Sequence, residues 1–220
     1  MPVLSNSRGQ SEADPPWSRA DGTEQRAFRP FYVPSELMYQ PDTSAPQKLL
    51  KVRRLDPHDF ASYREIRLEG LKNHPEAFSA SWETESANPA SWWAERLETN
   101  IVFGGWVDGS ALAGVVGFRM HGSTKVRHKG VLWGMYVRPS ARGTGLAASL
   151  VQRVIEQAPP FLEDILLTVV ASNAAACRLY RAAGFEQYGL ERRALKIGDT
   201  YYDEALMALS LRHHGCREPL

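Results

Sequence analysis

An α/β fold, with a mixed, mostly antiparallel sheet flanked by helices, is what this sequence predicts. Three observations carry the prediction. Strand-like and helix-like apolar spacings alternate from Val131 onward. Two turn signals, Asp108-Gly109 and Gly198-Asp199, each separate a pair of strand-like runs. Ile165 to Val170 is a dense run of Leu and β-branched residues, the composition of a strand buried on both faces.

The elements follow in order. Residues 1–47 read as a flexible N-terminal tail: seven prolines interrupt a polar segment with no sustained apolar period. Trp17, Phe28, Phe31, Tyr32 and Tyr39 are the residues of that tail able to dock on a domain. Leu49 to Val52 opens one folded domain over 48–212 as a short strand. Asp56-Pro57 then starts a helix, with Asp56 as N-cap and Pro57 in the first helical position. A second start signal is Asn88-Pro89, followed by Ala90, Trp93, Ala94 and Leu97 on one helical stripe. Ile101 to Val107 and Ala111 to Met120 are the strands around Asp108-Gly109, and Val131 to Val137 is the next. A helical face of Ala147, Leu150, Val151, Val154, Ile155 and Ala158 ends at Pro159-Pro160. After the Ile165 strand, Ala176, Leu179, Tyr180 and Ala183 form a last helical stripe closed by Gly184. Strands around Phe185 to Arg193 and Tyr201 to Leu211 finish the domain, and 213–220 is a C-terminal tail.

Composition excludes several classes of function. The chain has 220 residues, 43% hydrophobic and 23% charged, which is ordinary for a globular protein with one well-filled core. Residues 1–47 carry four Arg against six Asp or Glu, and the whole chain has net charge +1, so neither part has the basic excess of a nucleic-acid binder. The sequence has no apolar run of about 20 residues, so no spanning helix and no membrane partner are expected. Met1 to Gln10 lacks the basic start and apolar stretch of a secretory signal. Cys177 and Cys216 are the two cysteines and imply no disulfide framework, which points to a reducing cytoplasm. His213, His214 and Cys216 supply three ligand types but no nearby fourth, so no metal site is expected. The basic stretch from Arg119 to Lys129 reads as a solvated hairpin loop or as an electrostatic aid to a phosphate-bearing ligand.

Two segments carry chemistry. In the first, the strand ending at Val137 leads through Arg138-Pro-Ser-Ala-Arg142-Gly-Thr-Gly145-Leu-Ala147 into a helix. Backbone N–H groups at a helix N-terminus lack partners, and the macrodipole favours negative charge there. Gly143 and Gly145 let a phosphate approach that backbone, and Arg142 adds a permanent cation. The segment is not a P-loop, because no Gly-Lys-Ser/Thr follows, and it lacks the third spaced glycine of a dinucleotide fingerprint. The second segment runs from Ser172-Asn173 to Tyr180 and Gly184-Phe185. Asn173 and Tyr180 share a helix face about two turns apart. Tyr180 also lies on the apolar stripe, where a tyrosine serves as a core aromatic or as a catalyst.

Together the segments resemble the GNAT superfamily of N-acetyltransferases. Arg142-x-x-Gly145-x-Ala147 matches the superfamily's pyrophosphate loop, and Asn173-x-x-Ala176-x-x-Leu179-Tyr180-x-x-x-Gly184-Phe185 matches its later helix-and-strand motif. The likeness spans about residues 48–212, an N-acetyltransferase domain, and implies a GNAT-like sheet with splayed central strands. It implies that acetyl-CoA is the acyl donor, with pantetheine between those strands on the backbone of Met135 and Val137. It further implies a bulge at Gly134, a pyrophosphate held by Arg142, Gly143, Thr144, Gly145 and Ala147, and a cofactor oriented by Asn173. Tyr180 would protonate the departing thiolate while backbone donors hold the carbonyl oxygen. The reaction implied is direct attack of a primary amine, on a small molecule or a protein, in a ternary complex. The alternative is a non-catalytic acyl-CoA-binding regulatory module; a third class, an interaction protein, predicts no coenzyme A binding. The amine acceptor stays unidentified, and a homodimer is compatible with the sequence.

One position departs from the pattern. The ribosomal-protein alanine acetyltransferases of this superfamily carry a glutamate base five positions before the Asn, where this chain has Thr168. The preceding strand presents Trp133, Met135 and Tyr136 rather than a glutamate. Glu69, His74, Glu83, Asp203 and Glu204 are the candidates for the missing base.

Overall fold

The computed structural model describes residues 48–211. The tail readings for 1–47 and 213–220, and the ligand types at His213, His214 and Cys216, lie outside the described residues. Twelve elements follow one another: β1 (Leu50–Arg54), α1 (Phe60–Asn73), α2 (Trp82–Ser86), α3 (Ala90–Thr99), β2 (Ile101–Val107), β3 (Gly114–Met120), β4 (Lys129–Val137), α4 (Leu146–Glu156), β5 (Asp164–Val170), α5 (Ala174–Ala182), β6 (Glu186–Ile197) and β7 (Thr200–Ser210). The expected order holds, with α2 as an unforeseen single-turn addition.

Local chemistry sets the element ends. Asp56 Oδ1 accepts from the His58 N–H at 2.8 Å, and Asp59 Oδ2 accepts from the Asp56 N–H at 2.9 Å. This reciprocal cap opens a 3-10 turn that runs into α1. Asn88 does not cap α3: its amide donates back to the Thr84 and Glu85 carbonyls and closes α2. Asp108 and Gly109 both have positive φ, and the Ser110 N–H donates to the Val107 carbonyl at 3.0 Å, a type I′ turn. β3 starts at Gly114 rather than Ala111, because Leu112 first drops into the core.

The strand order is β1-β2-β3-β4-β5-β7-β6, and every neighbouring pair is antiparallel except β4 with β5. That parallel pair holds only from Lys129–Val131 against Asp164–Leu166. Beyond it, β4 runs on to Val137 and β5 to Val170 without pairing to each other, so the centre of the sheet splays open. A bulge accompanies the divergence. Val115 pairs with Tyr136 and Gly117 with Trp133, so Val116 faces two residues, Gly134 and Met135. Gly134 sits at φ +63°, a conformation that favours glycine, and the extra residue bends the upper half of β4.

Two cores form, one on each face of the sheet. α4 and α5 cover one face; Leu146, Leu150, Val151 and Val154 of α4 are fully buried there, each contributing about 1.5–3 kcal/mol. α1 and α3 cover the other through Tyr63, Ile66, Trp93 and Leu97. β5 departs from the expectation of burial on both faces. Ile165, Leu167 and Val169 are buried under α4 and α5, whereas Leu166 is partly open and Thr168 is exposed on the opposite face. Helices cover only part of that second face, and the uncovered part is a groove. Among the described residues no helix is long and apolar enough to cross a membrane.

Candidate active site

The splay between β4 and β5 opens a cleft of about 500 Å³ on the side of the α4 and α5 N-termini. Met135, Val137, Arg142, Ala147 and Asn173 line it together, as the two sequence segments lead one to expect. Gly143, Thr144 and Gly145 form the loop at its rim, with Gly143 at φ +75° and Gly145 at φ +88°. Their turn is held from within. Thr144 Oγ1 donates to the Ala141 carbonyl at 2.8 Å and accepts from the Leu146 N–H at 3.3 Å. Among the described residues, the turn's backbone hydrogen bonds engage the N–H groups of Ala141 and Arg142 and not those of Gly143, Thr144 or Gly145. A helix N-terminus with free N–H groups favours negative charge.

Arg142 closes this end. Its Nε donates to the Val137 carbonyl at 3.2 Å, and its Nη2 lies 3.2 Å from His74 Nε2. One lone pair of the Val137 carbonyl is therefore occupied, and the second remains for a ligand. Asn173, which lines the cleft, is already the N-cap of α5: its Oδ1 accepts from the Ala176 N–H at 3.1 Å. The basic stretch from Arg119 to Lys129 contributes nothing to the lining of this cleft; Arg119 faces the groove on the other side.

The cleft narrows to a neck of about 70 Å³ that shares Met135, Val170, Asn173 and Ala176 with it and adds Gly134, Thr168 and Tyr180. Tyr180 is 5% exposed, and its ring meets Phe185 edge-on at 5.8 Å. Both the core and the neck claim it. Burial, and then the neighbouring Cys177, raise its pKa well above the usual phenol range, so the hydroxyl stays protonated.

Through Phe78, Trp133, Gly134 and Thr168 the neck joins the groove on the opposite face, a space of about 340 Å³. Arg67, Arg119, Trp133, Tyr188 and Glu204 complete its walls. The five candidates for the base separate here. Glu69 is engaged, accepting from the Tyr136 hydroxyl at 3.0 Å and from Arg138 Nε at 2.9 Å. His74 stands on the cofactor side beside Arg142. Glu83 borders a separate depression near Trp82, and Asp203 Oδ1 accepts from the Arg193 N–H at 2.8 Å. Glu204 alone of the five lines the groove. Burial, and then the facing Glu191, raise its pKa, and the Thr168 hydroxyl opposes that shift by hydrogen bonding to the carboxylate.

Sequence reasoning missed Arg67 and Glu85. Both are buried, and Arg67 Nε and Nη2 each donate to a different Glu85 oxygen at 2.9 Å. A signal existed: Arg67 falls on the buried stripe of α1 with Tyr63, Ile66, Gly70 and Leu71, where a charge demands a partner.

The split parallel pair, the Gly-containing turn into α4 and three neighbouring cavities that share walls are the features that the comparisons with known proteins bear on. The model of the acetyltransferase (GNAT) family matches residues 68–185, more than half of the chain. The chain belongs to that family of acetyltransferases. Solved structures agree in fold. The chain resembles an acetyltransferase of the GNAT family from Streptococcus pneumoniae, with 24% identity and TM-score 0.66 over 74% of this chain and 100% of that one. It also resembles yncA, a putative acetyltransferase from Salmonella typhimurium solved with its cofactor acetyl-CoA (21% identity, TM-score 0.62, 78% of this chain and 99% of that one). A third similar structure is the ribosomal-protein-alanine N-acetyltransferase from Brucella melitensis (22% identity, TM-score 0.59, 73% and 99%).

Proposed function

We propose that the chain transfers the acetyl group of acetyl-CoA to a primary amine by direct attack in a ternary complex. The observation that carries this reading is the channel: cleft, neck and groove join through shared walls across the splayed strands, with Tyr180 at the neck and Glu204 in the groove. In this reading Arg142, Gly143, Thr144, Gly145 and Ala147 bind the pyrophosphate. Met135 and Val137 offer backbone groups to the pantetheine arm, and the Asn173 amide orients it.

Glu204 takes the part of the base that Thr168 cannot play. An alkyl ammonium with a pKa near ~10 must lose a proton before its nitrogen can attack. Glu204 accepts that proton, directly or through the Thr168 hydroxyl, and passes it to solvent. The nitrogen lone pair then forms the C–N bond as the C–S bond breaks, and the nitrogen gives up its second proton by the same route. Tyr180 supplies one proton to the sulfur and regains it from solvent. One amine and one thioester thus become one amide and one thiol. The buried neck that raises the phenol's pKa raises that of a thiolate too, so the transfer is not strongly opposed.

Release of coenzyme A across an amine panel, with product masses, tests the reading. Thiol release that depends on the amine, with a product heavier by one acetyl group, is the expected result. Tight acetyl-CoA binding with no release by any amine would instead make the chain a regulatory acyl-CoA-binding module. A reducing cytoplasm is the compartment we assign to the reaction, on its sparse cysteines.

A further inference from the structure

The groove contains a buried cation with one hydrogen-bonding arm left over. Arg67 is 4% exposed, and Glu85 fixes its fork through Nε and Nη2. The Phe78 ring lies 4.9 Å from its guanidinium carbon. Nη1 has no partner, although buried donors are nearly always satisfied. It points at the bulge on β4: a Cβ added to Gly134 would stand 3.2 Å from it. Gly134 and Arg67 both line the groove, and Nη1 lies buried against the bulge in its wall.

The charge around this donor has a sign. Glu85 is shared, with Arg96 Nη2 3.4 Å from the same Oε1 that Arg67 engages. One carboxylate thus answers two guanidiniums, and Arg119 adds a further cation at the groove's wall. Glu204 is the acidic group of the same groove. A ligand matching this arrangement is an amine for Glu204 that also carries an anion for Arg67 and Arg119. A planar carboxylate suits a guanidinium donor. The groove's volume of about 340 Å³ fits a small molecule, and Phe78, Trp133 and Tyr188 offer it an apolar side.

We infer that the acceptor is a free amino acid, its amino group at Glu204 and its carboxylate on Arg67 Nη1, with Arg119 as the outer cation. This rests on the acetyl-transfer reading above. The chemistry is the one already balanced there; only the acceptor is specified, and Arg67 acts in specificity rather than in bond making.

The experiment compares matched acceptors on the wild-type protein: phenylalanine, leucine and β-alanine against phenethylamine, 3-methylbutylamine and ethylamine, together with phenylalanine amide. Acetyl-CoA binding is measured in parallel by calorimetry. A kcat/KM at least tenfold higher for the amino acids than for their decarboxylated and amidated counterparts is expected. Equal or better use of the amines or the amide overturns the inference and leaves acetyl transfer standing. Failure to bind acetyl-CoA overturns both, whereas binding with no acetylation of any amino acid overturns the inference alone. Arg67→Lys keeps a charge for Glu85 and removes the free arm. It should raise KM for amino acids about tenfold, clearly more than it raises KM for phenethylamine, with cofactor affinity measured in parallel; an equal rise for both acceptors overturns the inference. Should that protein not fold, Arg119→Gln at the exposed rim provides the second reading, with the same selective rise in KM. An Arg119→Gln protein with an unaltered preference for amino acids removes the outer cation from the assignment.

Discussion

The Tyr180 hydroxyl and the Glu204 carboxyl are the groups proposed to move protons, and burial raises the pKa of both. Tyr180 keeps its proton because the neck disfavours phenolate. Tyr180→Phe preserves the ring contact with Phe185 and removes the transferable proton. Turnover should fall about 10²–10⁴-fold while calorimetry shows acetyl-CoA affinity nearly unchanged. Undiminished turnover would leave Tyr180 as a core aromatic only. Glu204 has a folded pKa raised by burial and by Glu191, so the fold favours its protonated form. The stability it contributes is fully present below its unfolded pKa and is lost as pH rises through the folded value. Deprotonation therefore works against the fold, and in the proposed mechanism the deprotonated carboxylate is the form that accepts the proton. Glu204→Gln should hold or raise Tm at pH 7, slow turnover, and erase the acidic limb of the pH–rate profile. A mutant that keeps that limb would exclude Glu204 as the base.

At the scale of elements, the loop into α4 and the α1–α2 pair make separable demands. Gly145 holds φ +88° at the N-cap of α4, between Arg142 and Ala147, which both line the cleft. Gly145→Glu places a carboxylate where the pyrophosphate is proposed to lie, and like charge at an anion site repels. Acetyl-CoA binding should vanish in a protein whose circular dichroism remains normal; retained affinity would sink the loop's assignment. Glu85 answers two guanidiniums from α1 and α3. Glu85→Ala leaves these charges uncompensated in the interior, a loss of about 3–5 kcal/mol. For a domain of this size that lowers Tm by roughly 6–20 °C, readable by calorimetry. A shift below a few degrees would show that solvent reaches the pair.

At the scale of the whole molecule, both hydrophobic clusters close among described residues between Leu50 and Leu211. Deleting residues 1–46 should therefore leave Tm within a few degrees, whereas a large drop would show that the segment's aromatics dock on the domain. What the sequence by itself determined is what short stretches of chain decide. Apolar periodicity placed the strands and helices, Asp56 and Asp108-Gly109 placed their ends, and the glycines beside Arg142 marked a turn of positive φ into α4, because each depends on neighbours within a few residues. The family motifs likewise brought Asn173 and Tyr180 to one helix face, and the structure sets both at the same neck. β5 was misjudged because composition cannot tell a strand covered twice from one whose second face lines a groove. The groove, and which of the five candidate bases lines it, were legible only in the tertiary structure. Glu204 stands out from the other candidates because β7 pairs with β5 in the register that puts Glu204 opposite Val170 and within reach of Thr168. Arg67 keeps a free arm because Glu85, from another helix, claims only two of its three nitrogens. Register and inter-helix pairing are long-range outcomes of packing, and no local pattern of residues encodes which side chains they turn toward a common space.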